Sequence, residues 1–419
     1  MPAKPLQVLV DYARRNSPFY SQLYRDAPAV VTDLTQLPIL DQEAFWAANT
    51  FPDNQVITRP LTNGVVLKSG GTTGAPKFSP WTEEENRDAA VAFGRGLVSA
   101  WLRPGHRVAN LFFAGELYGG FLFINDVLAN ADIDTLRLPI AGSAPVEFVA
   151  SVFRELEVQV ACGMSSTLVG LADLLIDRGE PAESVELLLF GGEPLFDDVR
   201  SVLLQAFPKA VIGSIGYAAV DGGPLGAPVP GDDVRVHDTL APYSIVELVD
   251  DATGEPITAA GVPGRLVATN MSRTLLPLIR YPVGDRAEWV DPARRRFRLL
   301  GRSADSIKVG PDVLRPAEVR AVVAAADRDG AVTGMQLVAR HWDGRDGLTL
   351  RLAVRGTPPD GLSQTMIDAV YAASPPHLRA VDRGAIHPLT VEWVRPAELV
   401  TNPRTGKLVE VVDERPTGA

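Results

Sequence analysis

Residues 67–81 read LKSGGTTGAPKFSPW. Here a short apolar strand predicted over residues 64–68 runs into Ser69, Gly70, Gly71, Thr72, Thr73 and Gly74, then Ala75, Pro76 and Lys77. Glycines let several backbone N–H groups turn toward one point, and three hydroxyls and an ammonium add donors to the same concavity. The chemistry this implies is the capture of a polyphosphate. No Gly-Lys-Ser/Thr closes the run and no helix start follows at once, which separates it from the Walker loop. Taken alone, such a run fits a solvated surface loop equally well, so the remaining stretches decide its meaning.

Those stretches are FGGEP at residues 190–194, directly after a predicted strand, GYAAVDGG at 216–223 and PLIRYPVGD at 277–285. GRSADSIKVGPDVLRPAEV at 301–319 and TNPRTGKLVEV at 401–411 complete the set. Singly, Arg302 fits a surface ion pair, Asp285 a turn acid and Lys407 a solvated lysine. The five histidines have no ligand spacing. The one cysteine, Cys162, excludes an internal disulfide and a thiol metal cluster, and its apolar setting fits a small buried hydrophobe.

The elements that must position these groups are those of an α/β protein. With 419 residues, 46% of them hydrophobic, the chain exceeds one compact domain and implies two. Predicted strands at residues 108–113, 158–161, 187–190 and 211–214 alternate with helices such as 146–156 and 166–178, the pattern of a buried, partly parallel sheet. Ligands bind at the strand ends of such sheets. Residues 243–300 carry shorter strands and turn signals, a β-rich subdomain. Past residue 301 a helix opening at Pro316, strands at 333–340 and 348–355 and a helix at 363–373 suggest a small α+β unit. Near the start, a helix over residues 6–15, an aromatic turn at 17–20 and a helix opening at Asp41 are expected. A net charge of −11, from 51 acidic and 40 basic residues without a basic block, argues against nucleic acid and anionic membranes as partners. The apolar region 108–129 is broken by Asn110, Glu116, Asn125 and Asp126, against a membrane span. No secretory signal is read, and a cytoplasmic protein is expected.

Taken together and in order, the stretches resemble the adenylate-forming enzymes, most closely their phenylacetate-CoA ligase branch, and the likeness covers nearly the whole chain. It implies an N-terminal AMP-binding domain over 1–302 with a mixed sheet and β-rich subdomain, and a mobile C-terminal domain over 303–419. It also implies that Ser69, Gly70, Gly71, Thr72, Thr73, Gly74 and Lys77 bind the phosphates of ATP. Gly191, Gly192, Glu193, Pro194, Gly216, Tyr217, Asp285 and Arg302 would face adenine and ribose, Asp221 would hold Mg²⁺, and Lys407 would be the catalytic lysine. Tyr118 and Ala218 are placed at an acyl pocket, although Tyr118 fits a core position equally well. The implied reaction activates a carboxylic acid, aromatic by the branch, as an acyl-adenylate and passes the acyl group to a thiol, CoA first. A carrier protein or amine acceptor, and a non-catalytic nucleotide-binding relative, stand as alternatives. The branch further suggests a homodimer.

Two positions depart from the family pattern. Val220 stands where a hydroxyl residue touches phosphate, a loss of about 0.5–1.5 kcal/mol for one neutral hydrogen bond. Ala304 stands where a charged hinge residue is usual, which weakens the case for the thioester step more than for adenylation, while Gly310 matches a glycine that lets a pantetheine arm approach.

Overall fold

The computed structural model describes residues 5–51, 53–69, 77–195, 197–302, 307–309, 312–403 and 405–415. Five of the residues expected to bind phosphate, Gly70, Gly71, Thr72, Thr73 and Gly74, lie outside these ranges, as do Ala304 and Gly310.

The chain opens with α1 (Leu6–Asn16) and α2 (Pro18–Leu23). The aromatic segment expected as a turn is this second helix: Ser17 caps it by accepting the Tyr20 N–H at 3.4 Å, and Pro18 starts it with its φ already helical. Asp41 caps α3 (Gln42–Ala48) as expected, accepting from the N–H groups of Glu43 and Ala44. β1 (Gly64–Ser69) and β2 (Lys77–Thr82) pair antiparallel, Ser69 opposite Lys77, so the two described ends of the glycine-rich stretch are neighbours. α4 (Glu83–Ala100) has no counterpart among the predicted elements; a Thr82–Glu85 capping box starts it.

Next comes the parallel sheet: β3 (Arg107–Leu111), α5 (Gly120–Asn130), β4 (Leu136–Pro139), α6 (Val146–Glu155), β5 (Val160–Gly163), α7 (Ser165–Arg178), β6 (Leu187–Phe190), α8 (Asp197–Ala206) and β7 (Val211–Ser214). Its strand order is β4-β3-β5-β6-β7. Side chains alternate between the faces. Ala109, Leu111, Ala161 and Leu188 pack with residues of α6, α7 and α8. Val108, Val160, Cys162 and Leu189 pack with Phe93 and Leu97 of α4 and Ile124 and Val127 of α5. Cys162 is fully buried and its thiol is pushed up to about 12, which makes it the inert hydrophobe expected.

A second sheet follows, of β8 (Tyr217–Ala219), β9 (Gly223–Pro228), β10 (Val236–Thr239), β11 (Ser244–Val249), β12 (Gly264–Asn270), β13 (Tyr281–Asp291) and β14 (Arg296–Arg302), in the order β11-β12-β13-β14-β10-β9-β8. The β-rich region therefore starts about 25 residues before Tyr243, where it was expected. The N-terminal helices cover this sheet: Leu9, Tyr20 and Phe45 share a core with Leu266, Tyr281 and Trp289. The short hairpin β15 (Ile307–Val309) and β16 (Asp312–Leu314) leads to α9 (Pro316–Ala326), β17 (Val332–Trp342), β18 (Arg345–Val354), α10 (Leu362–Ala373), α11 (Pro375–Asp382), β19 (Thr390–Val394) and β20 (Val411–Asp413). Their sheet runs β19-β18-β17-β20 around a core of its own. The α/β class read from sequence is the observed architecture. Among the described residues, no helix is long and apolar enough to cross a membrane.

Candidate active site

At the ends of the parallel strands the turn after β6 meets the loop before β20, β8 follows β7 directly, and β1 touches the loop after β3 through the Lys68 N–H and the Leu117 carbonyl.

The turn after β6 begins with the Gly191 N–H donating to the Gly163 carbonyl, 3.1 Å, while the Ile215 N–H donates to the Phe190 carbonyl, 2.9 Å. Gly192 sits at φ +78°, where a Cβ would lie 2.8 Å from Met164 Sδ and 3.2 Å from Lys407 Cε. Glycine is needed at that position by conformation and by space. Lys407 thus arrives at the FGGEP turn although 215 residues separate the Glu193 and Leu408 partners of the same contact. Gly406 is also glycine for room: its Cβ would fall 2.0 Å from the Phe113 ring.

Glu193 does not turn its carboxylate outward for a ligand. Oε2 accepts from Ser165 Oγ (2.9 Å), Ser166 N (3.0 Å) and Ser166 Oγ (2.9 Å) at the N-terminus of α7, and Oε1 accepts from the Leu408 N–H. Ser165 Oγ also lies 3.3 Å from the Pro194 carbonyl. These serines were not singled out in the sequence; their only signal there is a Met-Ser-Ser-Thr run at a helix start.

Tyr217 donates its hydroxyl to Asp285 Oδ2 at 2.5 Å, so the aromatic and the acid expected around a ribose are joined. Asp285 lies opposite Arg302 in the β13–β14 ladder; the Arg302 side chain is outside the description. Beneath Tyr217, His237 is buried, with Nδ1 facing the Arg235 carbonyl at 2.9 Å and Nε2 facing Ser214 Oγ at 3.0 Å. Ser214 Oγ in turn accepts the Gly216 N–H at 3.0 Å, fixing the glycine that opens β8. Burial lowers the His237 ring from 6.5 to about 4. The neutral ring is the folded form, so its stabilisation is complete above pH 6.5 and is lost as pH falls toward 4. At about pH 5 roughly 2 kcal/mol should be gone. Urea titrations at about pH 7.5 and about pH 5 check this: His237→Gln should narrow the pH-dependent loss by that amount, and an unchanged loss would refute the assignment.

Asp221 is buried, 9% exposed, and its Oδ2 accepts from the Tyr281 hydroxyl at 2.9 Å. Beside it lies Arg273, a fully buried arginine that no local pattern announces. Its guanidinium stacks 3.9 Å over the Trp81 ring centroid, donates to Ser79 Oγ (2.8 Å) and the Pro80 carbonyl (2.9 Å), and donates to the Asp221 carbonyl. Glu85 supplies a compensating charge nearby while accepting the Thr274 and Leu275 N–H groups, both at 2.7 Å. Burial raises the Glu85 carboxyl, but these hydrogen bonds and the Arg273 charge outweigh it and hold it below the usual range.

Lys77 points toward α3: Nζ is 5.6 Å from the Trp46 ring centroid and 3.5 Å from Gln42 Oε1. Tyr118 is 8% exposed and packs with Phe112, Met164 and Ile215, the core position it was also read to fit. Ala218 is exposed on β8. Neither lines the cavity of about 290 Å³ that lies on the α6–α7 side, between Leu111, Phe113, Val149, Ser166, Asn402 and Gly406. Tyr118 is held by an irregular loop in which Gly115, Glu116 and Leu117 all have positive φ, and the Leu117 carbonyl accepts the Lys68 N–H at 2.9 Å.

No family model matches the chain. In sequence it is 27% identical over 315 residues to a phenylacetate-coenzyme A ligase of Pseudomonas putida, covering 71% of this chain and 68% of that one. It is 25% identical over 364 residues to the corresponding protein of Thermus thermophilus, covering 83% and 80%. In structure it resembles a 2-hydroxyisobutyryl-CoA ligase in its postadenylation state, with a TM-score of 0.71 at 20% identity over 98% of this chain and 88% of that one. Against the same enzyme in its thioesterification state the TM-score is 0.62. The fold is that of these adenylate-forming CoA ligase structures. The sequence likeness is to the phenylacetate-CoA ligase-like branch.

Proposed function

We propose that this protein is an AMP-forming acid–CoA ligase: it activates a carboxylic acid with ATP as the acyl-adenylate, releases pyrophosphate and transfers the acyl group to CoA. The observation that carries this reading is the arrival of Lys407 at the FGGEP turn, a lysine delivered from the C-terminal loop to strand ends that also present Asp285, Tyr217 and the described ends of the phosphate loop. An acid carboxylate attacking an α-phosphate sets anion against anion, and a held ammonium at that point stabilises the charge that develops. Ser69 to Lys77 would hold the outgoing phosphates, with the Lys77 ammonium swinging from Trp46. Asp285 would hold the ribose hydroxyls, with Tyr217 fixing its carboxylate. The phosphates would face Val220 without its family hydroxyl, and the C-terminal unit from residue 303 would turn about Ala304 between half-reactions.

Asp221 offers one buried carboxylate, and among the described residues no three His, Cys, Asp or Glu side chains converge. That donor set fits a magnesium ion bound through one protein carboxylate plus nucleotide phosphates. Mg²⁺ there would neutralise phosphate charge, while Tyr281 orients the carboxylate that holds it. The acid is read as aromatic from the branch. CoA is the first acceptor, a carrier-protein thiol the second, and the homodimer suggested by the branch is to be read by light scattering, where a monomer mass would exclude it.

The test is acid-dependent ATP–pyrophosphate exchange across benzoic, phenylacetic, hydroxyaryl, heteroaryl and short aliphatic acids, followed by AMP release with and without CoA. Exchange with an aryl acid and acceleration by CoA are expected. Exchange that CoA leaves unaccelerated would move the acceptor to a carrier protein or amine, and ATP binding without exchange for any acid would leave a non-catalytic relative.

A further inference from the structure

We propose that Glu193 is a positioning residue for Lys407, acting through the backbone of the Lys407 loop and not through the nucleotide; this rests on the adenylation reading above. The geometry is a clamp with two jaws on α7. At the helix N-terminus, the first N–H groups lack intrahelical acceptors and the helix dipole favours negative charge, so a carboxylate there is held firmly. Glu193 fills that place through Ser165 Oγ and the Ser166 N–H and hydroxyl, while its other oxygen accepts the N–H of Leu408, the residue after Lys407. Ser166 Oγ also lies 3.1 Å from the Gly406 carbonyl, on the other side of Lys407. Its single proton serves Glu193 or Gly406, one at a time. Both peptide neighbours of Lys407 are thereby tied to one helix end, and the lysine is left to extend past Gly192. About two helix turns further along α7, Asp173 pairs with Arg355, which follows β18 of the C-terminal unit. The same helix thus grips that unit at two points.

This assigns Glu193 a different duty from an adenine or ribose contact, and the two duties separate experimentally. With Gln at position 193 the charge-assisted bonds weaken and the loop is released more often. Loss of one such bond corresponds to about a tenfold change in rate or population. Hydrogen–deuterium exchange of the peptide spanning 401–411 should therefore quicken about tenfold in Glu193→Gln, with exchange elsewhere on the chain unchanged. Acid-dependent pyrophosphate exchange should slow about tenfold in kcat with the KM for ATP held. In a Lys407→Ala background the same substitution should add less than about twofold, because residues that act as a unit are not additive. Ser166→Ala, which removes one hydroxyl, should repeat the pattern more weakly and guards against a Glu193 variant that fails to fold.

Unchanged protection of 401–411 would overturn the clamp. So would a raised KM for ATP that persists without Lys407, since Glu193 would then act on the nucleotide directly. Faster loop exchange in an enzyme that activates none of the acids would support the tie while refuting the adenylation reading, so the two failures are distinguishable.

Discussion

Replacing Lys407 with alanine should lower acid-dependent pyrophosphate exchange by about 10²- to 10³-fold, the usual consequence of removing one preorganised electrostatic contact from a transition state. The loop that carries the lysine is held through its backbone. The Asn402 N–H donates to the Lys407 carbonyl at 2.7 Å, the Gly406 N–H donates to the Asn402 carbonyl at 2.7 Å, and the Leu408 N–H donates to Glu193. The unfolding midpoint should therefore stay where it is, and the loss should appear in kcat more than in the KM for ATP, as expected of an interaction made mainly in the transition state. Transfer to CoA from acyl-adenylate supplied ready-made should be far less affected than adenylation. A variant that exchanges pyrophosphate at the normal rate would remove Lys407 from the chemistry, and one that loses both half-reactions equally would point to damage beyond the ammonium.

What the sequence discloses about this arrangement follows the range over which each signal acts. Leu187–Phe190 and Val211–Ser214 are short apolar runs between turn residues, and a strand buried on both faces reads that way wherever it occurs. Ser17 and Pro18 were legible as turn residues and serve instead as cap and first residue of α2, since the same chemistry suits both and the packing of Tyr20 into the core decides. β2 contains Pro80, which argues against a central strand; it is tolerated because β1 and β2 form a two-stranded sheet, in which each is an edge strand. The FGGEP motif was legible, but one partner of the Glu193 carboxylate, the Leu408 N–H, is 215 residues away and reaches it only through the docking of the C-terminal unit. No local pattern encodes that.

Arg273 is the extreme case of the same limit, and its removal should produce the largest loss of stability. It follows Asn270, whose side-chain oxygen accepts the Arg273 N–H at 3.0 Å, and nothing in its neighbourhood distinguishes it from a surface arginine. Folding takes it fully out of water and surrounds it with groups from three distant segments: Ser79, Pro80 and Trp81 of β2, the Asp221 turn, and Glu85 of α4. Burial lowers its guanidinium to about 10, still well above neutral pH, so the charge persists and is balanced by Glu85 and Asp221. Arg273→Met keeps much of the volume and removes the charge, leaving those carboxylates facing an apolar group. Breaking a buried pair from one side costs about 3–5 kcal/mol, because the remaining charge stays desolvated. Urea unfolding should show a loss of that size, whereas Lys209→Met, which breaks an exposed pair with Glu183, should change little. Because Arg273 joins the strand that follows the proposed phosphate loop to the turn that carries Asp221, adenylation should fall further than the folded fraction does. A stable Arg273→Met protein with normal exchange would mean that β2 and the Asp221 turn hold their places without it.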